Sequence, residues 1–229
     1  MEAKSSSPLR PSVWSLPAGR HGLARELVSG SQRERLLYGV MVATAELGYA
    51  TTTVADVLER AGVSRKTFYQ HFTDKLECFL AAHQVGRDAM MAAVFAVIEH
   101  PLDDPVEQLR AVNLAYLSAV ADEPAFAKAF FVEIYGAGPE ARERRLDCRR
   151  ELADLLHIWH SSLPGRHPEY RPIPATACAA AMGAADTLAT DYLRLYPADG
   201  LVALEPDISY AILALLGLPQ AADAVAAAR

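Results

Sequence analysis

The chain lacks the features by which several large classes of protein are recognised. Only three of its 229 residues are cysteines, Cys78, Cys148 and Cys178, which are widely spaced and odd in number. This favours free thiols in a reducing compartment over a disulfide framework. The longest apolar runs reach about half of the ~20 residues that a membrane span needs, and the first residues show no secretory pattern. We therefore expect a cytoplasmic protein with no membrane partner.

Motifs that carry catalysis or nucleotide binding are also missing. The sequence contains no P-loop, no dinucleotide-binding glycine pattern, no zinc-protease helix motif and no nucleophile elbow. His157 and His160, with Glu151 and His167 near in sequence, come closest to a metal site, but they are more simply explained as surface histidines. We therefore predict that the protein is not an enzyme and uses no metal or cofactor.

Charge is distributed unevenly along the chain. The net charge is −6, yet residues 1–85 hold 10 Lys/Arg against 8 Asp/Glu, whereas residues 86–229 hold 12 against 20. The two parts therefore carry +2 and −8. Because the N-terminal part is only weakly basic, charge alone does not reveal a nucleic-acid site.

The first 30 residues show no sustained hydrophobic period. They contain Pro8, Pro11 and Pro17, several glycines and scattered basic residues. This composition predicts a flexible basic arm over residues 1–30. The arm is either a solvated tail or a segment that reaches DNA, and the sequence leaves both interpretations open.

The remainder has the periodicity of helices and no convincing strand pattern, so we predict an all-α fold. Apolar residues make up 52% of the chain, enough for a substantial core. Ser31 is expected to cap the first helix, which ends at Gly48. Later helices are predicted near residues 105–121, 124–135, 139–162, 174–196 and 205–217.

Residues 52–75 have the pattern of a helix-turn-helix. Thr53 is expected to cap a short helix, Gly62 can adopt the left-handed conformation of a sharp turn, and Ser64 is expected to cap the next helix. This second helix has little apolar surface beyond Phe68 and Phe72, but it offers hydrogen-bond donors in its first turn. Such a helix suits the major groove of DNA better than a protein core.

The side chains around this second helix suggest two kinds of DNA contact. Arg65, Lys66 and Thr67 are expected to contact base edges, and the flanking residues to contact phosphates. Taken singly, each residue could be an ordinary helix cap or a solvated side chain. The full predicted DNA-binding set is Thr52, Thr53, Ser64, Arg65, Lys66, Thr67, Tyr69, Gln70, His71 and Lys75.

A family resemblance covers residues 33–80. It rests on the order and spacing of Gly48-Tyr49, Thr52-Thr53-Val54, Ala61-Gly62-Val63-Ser64, Thr67, Tyr69, His71-Phe72 and Lys75. This pattern resembles the DNA-binding domain of tetracycline-repressor (TetR) family regulators. Two positions depart from it: Lys66 stands where the family often has glycine, and Leu58 where a small residue is common.

The resemblance implies a domain plan and a function. We expect a flexible arm (1–30), a helix-turn-helix DNA-binding domain (31–78) and a helical effector-binding and dimerisation domain (79–229). The implied protein is a ligand-responsive transcriptional regulator, acting as a repressor, whose homodimer leaves a palindromic operator when a small molecule binds. The alternatives are a helical ligand-binding or interaction protein without DNA binding and, more remotely, an enzyme.

Two further sets of residues complete the prediction. The last long helices carry small and apolar side chains that suit a four-helix dimer interface, although an ordinary core would use the same residues. This set is Ala177, Ala181, Ala184, Ala185, Leu188, Ile208, Ala211, Ile212 and Leu215. Aromatic and isolated polar residues are expected to line an effector cavity that would suit a cationic lipophile, or else to form plain core. This set is Asn113, Tyr116, Phe126, Phe130, Phe131, Trp159, Asp186 and Tyr192.

Overall fold

The computed structural model describes residues 23–168 and 170–227, with side chains from residue 32 onward. Within these ranges the fold is all-α, as predicted, and contains no strand. The helices are α1 (Leu23–Leu47), α2 (Val54–Ala61), α3 (Arg65–His71), α4 (Lys75–Ile98), α5 (Pro105–Ala121), α6 (Pro124–Phe131), α7 (Pro139–Ser162), α8 (Ala175–Leu195), α9 (Glu205–Leu215) and α10 (Pro219–Ala227). Three 3₁₀ segments, Glu133–Ala137, Leu163–Gly165 and Ala198–Leu204, lie between them.

The first helix begins earlier than predicted. It starts at Leu23, so Ser31 lies inside the helix and is not its N-cap. The preceding residues include Ala24, Glu26 and Leu27, which are good helix formers and extend the helix across the weaker Ser29–Ser31 stretch. The end of the predicted arm is therefore helical, and residues 1–22 lie outside the described ranges.

Helix caps form the helix-turn-helix as the sequence predicts. Thr53 and Asp56 make a capping box, in which the Asp56 amide donates to Thr53 Oγ1 (3.3 Å) and the Thr53 amide donates to Asp56 Oδ2 (2.7 Å). Gly62 has φ 61° and donates its amide to the Leu58 carbonyl at the end of α2. Ser64 Oγ accepts from the Thr67 amide (3.1 Å) and caps α3.

The first four helices share one core. Leu36 and Val40 of α1, Val57 of α2, Phe68 of α3 and Phe79 of α4 are completely buried together. Each of the short helices α2 and α3 therefore has one anchored face, and its other face is left outside the core.

Helix α4 connects this bundle to the rest of the molecule. It contacts α1 as well as α5 and α6, and Met90 and Val94 in its second half are buried. Gly86 lets α6 come close, because any side chain there would meet the Phe126 ring. The boundary at residue 78 stays a prediction, since α4 runs through it without a break. No helix in the described ranges is both long and apolar enough to cross a membrane.

Candidate nucleic-acid interface and effector cavity

Helix α3 presents a polar face that the core leaves free. Phe68 is buried completely, whereas Arg65, Lys66, Tyr69 and Gln70 are exposed. These four positions recur with helical spacing and therefore share one side of α3. A short helix with its apolar side anchored and its polar side open has the form needed to enter a major groove.

Other predicted DNA contacts lie at the ends of the helices. Thr53 is exposed at the start of α2, and its hydroxyl donates to Asp56 Oδ2 (2.6 Å). Ser64 and Thr67 share a hydroxyl hydrogen bond of 2.9 Å at the start of α3. His71, at the end of α3, is half-buried. The DNA contacts of all these residues stay predictions.

Thr52 does not present its hydroxyl to solvent, contrary to expectation. The residue is 2% exposed. Its Oγ1 donates into the preceding turn, towards the carbonyls of Gly48 (2.8 Å) and Ala43 (3.2 Å). The hydroxyl closes the end of α1 and is not available to a phosphate.

Lys75 is engaged in the same turn. Its Nζ donates to the carbonyl oxygens of Tyr49 (2.6 Å) and Thr52 (2.6 Å) and lies 4.0 Å from the centre of the Tyr49 ring. Burial lowers the pKa of the Lys75 ammonium, and the charge of Asp56 opposes this effect. Lys75 thus holds the turn ahead of α2, and its predicted contact with phosphate stays a prediction.

Sequence reasoning missed one residue that positions the helix-turn-helix. Arg35 of α1 donates from Nη2 to the Gly62 carbonyl (2.6 Å), which fixes the turn between α2 and α3. A lone arginine on an amphipathic helix carries no sequence signal for this role, because the contact joins residues 27 positions apart.

A cavity of about 400 Å³ lies among α4, α5, α7 and α8. Of the predicted effector residues, Asn113, Tyr116, Phe131, Trp159 and Asp186 line it. Most other lining side chains are apolar, including Val94, Leu109, Leu117, Leu152, Leu156, Met182 and Ile208.

Three predicted effector residues lie outside the cavity lining. Phe126 fills the close approach of α6 to Gly86, and Phe130 stacks on His83 with ring centres 4.3 Å apart. Tyr192 lies against Gly200. All three pack against other parts of the protein. Phe126 and Phe130 lie where α6 crosses α4, and Tyr192 packs against the segment that follows α8.

Asp186 is paired, which changes the electrostatics that the sequence suggests. Its carboxylate forms an ion pair with Arg145, and Arg149 Nη1 lies 3.9 Å from its second oxygen. The Arg145 side chain is 3% exposed and stacks on the rings of Phe130 (4.6 Å) and Phe131 (4.5 Å). Sequence reasoning did not find Arg145. The signal in the sequence was Asp186 itself, because a carboxylate that is buried in an apolar helix needs a cationic partner.

The charged lining of the cavity is therefore basic, not acidic. Arg145, Arg149 and Arg166 stand against Asp103 and Asp186, a difference of +1. The expectation of a cationic lipophile loses its basis, because the carboxylate meant to receive it is already neutralised.

Asn113 connects the cavity wall to α9. Its amide donates to Ser209 Oγ (2.9 Å), and that hydroxyl donates to Glu205 Oε1 (2.8 Å). Arg110 closes the network with hydrogen bonds of 3.0 and 2.9 Å to the Glu205 carboxylate. The Asn113 side chain is thus oriented by the protein before any ligand binds.

Comparison with known proteins finds a family match for the helix-turn-helix segment. Residues 43–82 match the family model described as "Bacterial regulatory proteins, tetR family". This segment of the chain is therefore similar to the DNA-binding part of tetR-family regulators. The match runs from the end of α1 to the start of α4 and includes α3, the helix with the free polar face.

The family model and a curated relative describe regulators of transcription, in agreement with the prediction that the protein is not an enzyme. The HTH-type transcriptional activator FasR of Mycolicibacterium smegmatis is 27% identical over 124 residues. That alignment covers 54% of this chain and 56% of FasR, so the chain spans about half the length of this curated relative.

Solved structures extend the similarity of fold over most of the chain. The fatty acid degradation regulator FadR from Bacillus halodurans has a TM-score of 0.66 at 18% identity, covering 81% of this chain and 95% of its own. FadR from Bacillus subtilis, solved in complex with stearoyl-CoA, has a TM-score of 0.64 at 18% identity, with 80% and 97% covered.

The predicted dimer residues divide into core and surface. Ala181, Ile208 and Ile212 are buried by their own chain, so they are core and not interface. Leu188 and Leu215 are exposed. Ala177, Ala184, Ala185 and Ala211 are partly exposed, and Ala185 also lines the cavity.

Sequence reasoning missed other apolar side chains on the same surface. Leu195 is 75% exposed at the end of α8, and Tyr210 is 43% exposed on α9. Leu188 and Leu195, seven residues apart, lie on one side of α8. We call the four exposed side chains on these two packed helices, Leu188, Leu195, Tyr210 and Leu215, the α8–α9 face. Helix α9 is apolar nearly all round, so its sequence alone does not show which side is covered.

The histidines near the end of α7 do not assemble a metal site. Nowhere in the described ranges do three His, Cys, Asp or Glu side chains converge as metal ligands. His160 is buried beside the Tyr170 ring, and His157 Nδ1 lies 4.0 Å from Cys178 Sγ.

Proposed function

We propose that the chain is a ligand-responsive transcriptional regulator that binds a palindromic operator as a homodimer. The observation that carries this proposal is the exposed polar face of α3, with Arg65, Lys66, Tyr69 and Gln70, on a helix whose Phe68 side is locked into the core. Such a face has no use in packing, whereas it suits base edges and phosphates. A protein of this function acts where the bacterial DNA is, in the cytoplasm.

The α8–α9 face supports the homodimer. It carries Leu188, Leu195, Tyr210 and Leu215 on two helices that already pack against each other. A two-fold axis through this face would bury the patch against its own copy, as isologous interfaces do. Two copies of α3 would then read half-sites roughly 34 Å apart, one turn of DNA.

The cavity supports an elongated apolar effector with an anionic or polar head. Its wall is mainly apolar, and its charged groups have a surplus of arginine. Phe95, Ile98, Leu102 and Ile158 line the cavity and are also exposed, so an apolar ligand can extend towards the surface. The Bacillus subtilis FadR complex with stearoyl-CoA, an amphiphile of this kind, is consistent with this class.

Effector binding is proposed to release the protein from DNA. A ligand shifts the equilibrium only if it binds the released state more tightly. The sequence favours a repressor, whereas the relative FasR is named as an activator. The sign of the transcriptional effect would follow from the position of the operator relative to the promoter, which a reporter gene measures directly.

The test is selection of DNA from a random-sequence pool by the full chain, with sedimentation of the protein and of the complex. We expect enrichment of an inverted repeat, with two protomers on each duplex. A pool that shows no enriched sequence would refute operator binding, and a monomer that binds a half-site with full affinity would refute the dimer. Tryptophan fluorescence, with Trp159 in the cavity wall, then tests stearoyl-CoA and other amphiphiles as effectors.

A further inference from the structure

One charged residue after α6 contacts the turn that leads into the helix-turn-helix. Glu133, in the 3₁₀ segment after α6, accepts a hydrogen bond from the backbone amide of Tyr49 (3.0 Å) across 84 positions of sequence. Gly48 makes this approach possible. Its φ is +81°, and a Cβ there would lie 3.3 Å from Glu133 Oε2. The turn is thus shaped to receive this carboxylate.

The same turn is held from its other side by α4. The Lys75 ammonium donates to the carbonyls of Tyr49 and Thr52. Glu133 therefore holds Tyr49 at its amide, and Lys75 holds it at its carbonyl. Helix α2 begins at Val54, directly after this turn. The turn that leads into α2 is therefore held by two separate attachments, in addition to the packing of α2 on α1.

Glu133 also lies close to the cavity. Phe131, two residues before it, is buried and lines the cavity wall. The Arg145 guanidinium covers the Phe131 ring at 4.5 Å and pairs with Asp186 on α8. A ligand that displaces Phe131 or Arg145 must therefore move the segment that carries Glu133, because close-packed interiors transmit displacement.

We propose that Glu133 is the positioning residue through which the cavity sets the orientation of the helix-turn-helix. The carboxylate couples the α6 segment to the turn ahead of α2, beside any movement of α4 itself. This inference rests on the proposed function, because it explains how an occupied cavity changes DNA binding. It assigns to Glu133 no contact with either DNA or effector.

The test needs neither operator nor effector. Val112→Phe fills part of the cavity from α5, and Leu114→Phe, on an exposed position of the same helix outside the cavity, is its control. Each is made in the wild-type, Glu133→Ala and Glu133→Gln backgrounds. The readout is amide hydrogen exchange over residues 48–53, where Tyr49 donates. If Val112→Phe does not fold, Val112→Met replaces it.

Three results are expected. Glu133→Ala alone raises exchange of the Tyr49 amide by about tenfold, as loss of a hydrogen bond to a charged acceptor should. Val112→Phe changes exchange in the turn by roughly threefold or more in the wild type but not in Glu133→Ala. Glu133→Gln, which keeps an acceptor oxygen, restores the response to Val112→Phe, a rescue that a merely structural role would not require.

Other results overturn the proposal. An equal response to Val112→Phe in the wild-type and Glu133→Ala backgrounds would place the coupling in other contacts, such as those of α1 with α4 and α6. The proposal is also refuted if Val112→Phe leaves amide exchange over residues 48–53 unchanged in every background. It is refuted as well if the Tyr49 amide exchanges no faster in Glu133→Ala than in the wild type. Because the readout uses no DNA, a failure of operator binding is seen separately, in the selection experiment.

Discussion

The Lys75 ammonium lies 2.6 Å from the carbonyl oxygen of Thr52 and joins the start of α4 to the turn ahead of α2. A second hydrogen bond, to Tyr49, and the Tyr49 ring complete its surroundings. A lysine that sequence analysis assigns to phosphate therefore has a role in positioning the DNA-binding helices.

Lys75→Ala should weaken binding to every DNA sequence mainly by loosening the turn. Loss of its hydrogen bonds should lower the free energy of unfolding by about 1–2 kcal/mol, and the salt slope of binding should change by less than one. Lys66→Ala, which removes an exposed charge from α3 without touching this turn, is the control and should weaken binding without loss of stability. A Lys75→Ala variant of unchanged stability whose slope falls by about one would show that Lys75 contacts phosphate.

Arg65→Ala should relax base preference at one position of each half-site. Arg65 is exposed in the first turn of α3, where a guanidinium can reach guanine O6 and N7, and its loss should cost roughly 1–3 kcal/mol on the preferred sequence only. Binding to a panel of single-base operator variants measures this. An equal loss on all variants would assign Arg65 to phosphate instead.

Breaking the buried ion pair of Arg145 and Asp186 should destabilise the protein more than removing both charges. Asp186→Asn leaves a buried guanidinium without its partner and should lower the free energy of unfolding by roughly 3–5 kcal/mol. The double variant Arg145→Met/Asp186→Leu should recover most of that loss, because no buried charge remains. Denaturant unfolding of the wild type, Asp186→Asn and the double variant measures these differences in stability. A loss below about 1 kcal/mol for Asp186→Asn would contradict the burial of the pair.

Stability should fall as the pH drops below about 6.5, because of His83. Burial, then the charges of Arg145, Arg144 and Arg87, lowers the pKa of His83 from 6.5 to about 3. The unfolded chain therefore binds more protons than the folded protein between these values, so this stability is present above pH 6.5 and is lost as the pH falls. The slope contributed by this one group is at most about 1.4 kcal/mol per pH unit.

His83→Leu removes this contribution. The leucine variant should be at least as stable at neutral pH, because both ring nitrogens of His83 are buried without a hydrogen-bond partner in the described structure. Its unfolding free energy should then vary less between pH 6.5 and 4 than that of the wild type. Identical pH profiles for the two proteins would show that His83 does not carry the effect.

The sequence predicts the helix-turn-helix well because its signals are local. The caps at Thr53 and Ser64 and the left-handed Gly62 each depend on residues within a few positions, and all are found as predicted. The roles of Thr52 and Lys75 could not be predicted in this way. They depend on where the end of α1 lies relative to α4, which is a property of tertiary packing.

The cavity lining and the α8–α9 face also depend on tertiary packing that local sequence signals do not reveal. The apolar pattern of α9 does not tell Ile212, which is buried, from Leu215, which is exposed, because the helix is apolar on nearly all sides. Whether an aromatic residue lines the cavity depends on helix crossings. Gly86 admits Phe126 between α4 and α6, and Phe131 is left to form the cavity wall.

Binding to the selected inverted repeat and to a scrambled duplex of the same length and composition, at one salt concentration, tests the central claim most directly. If α3 reads base edges, the full chain should bind the repeat roughly 10³-fold or more tightly than the scrambled duplex. Equal affinity for the two duplexes would contradict sequence-specific recognition by α3, and with it the regulatory function proposed for this protein.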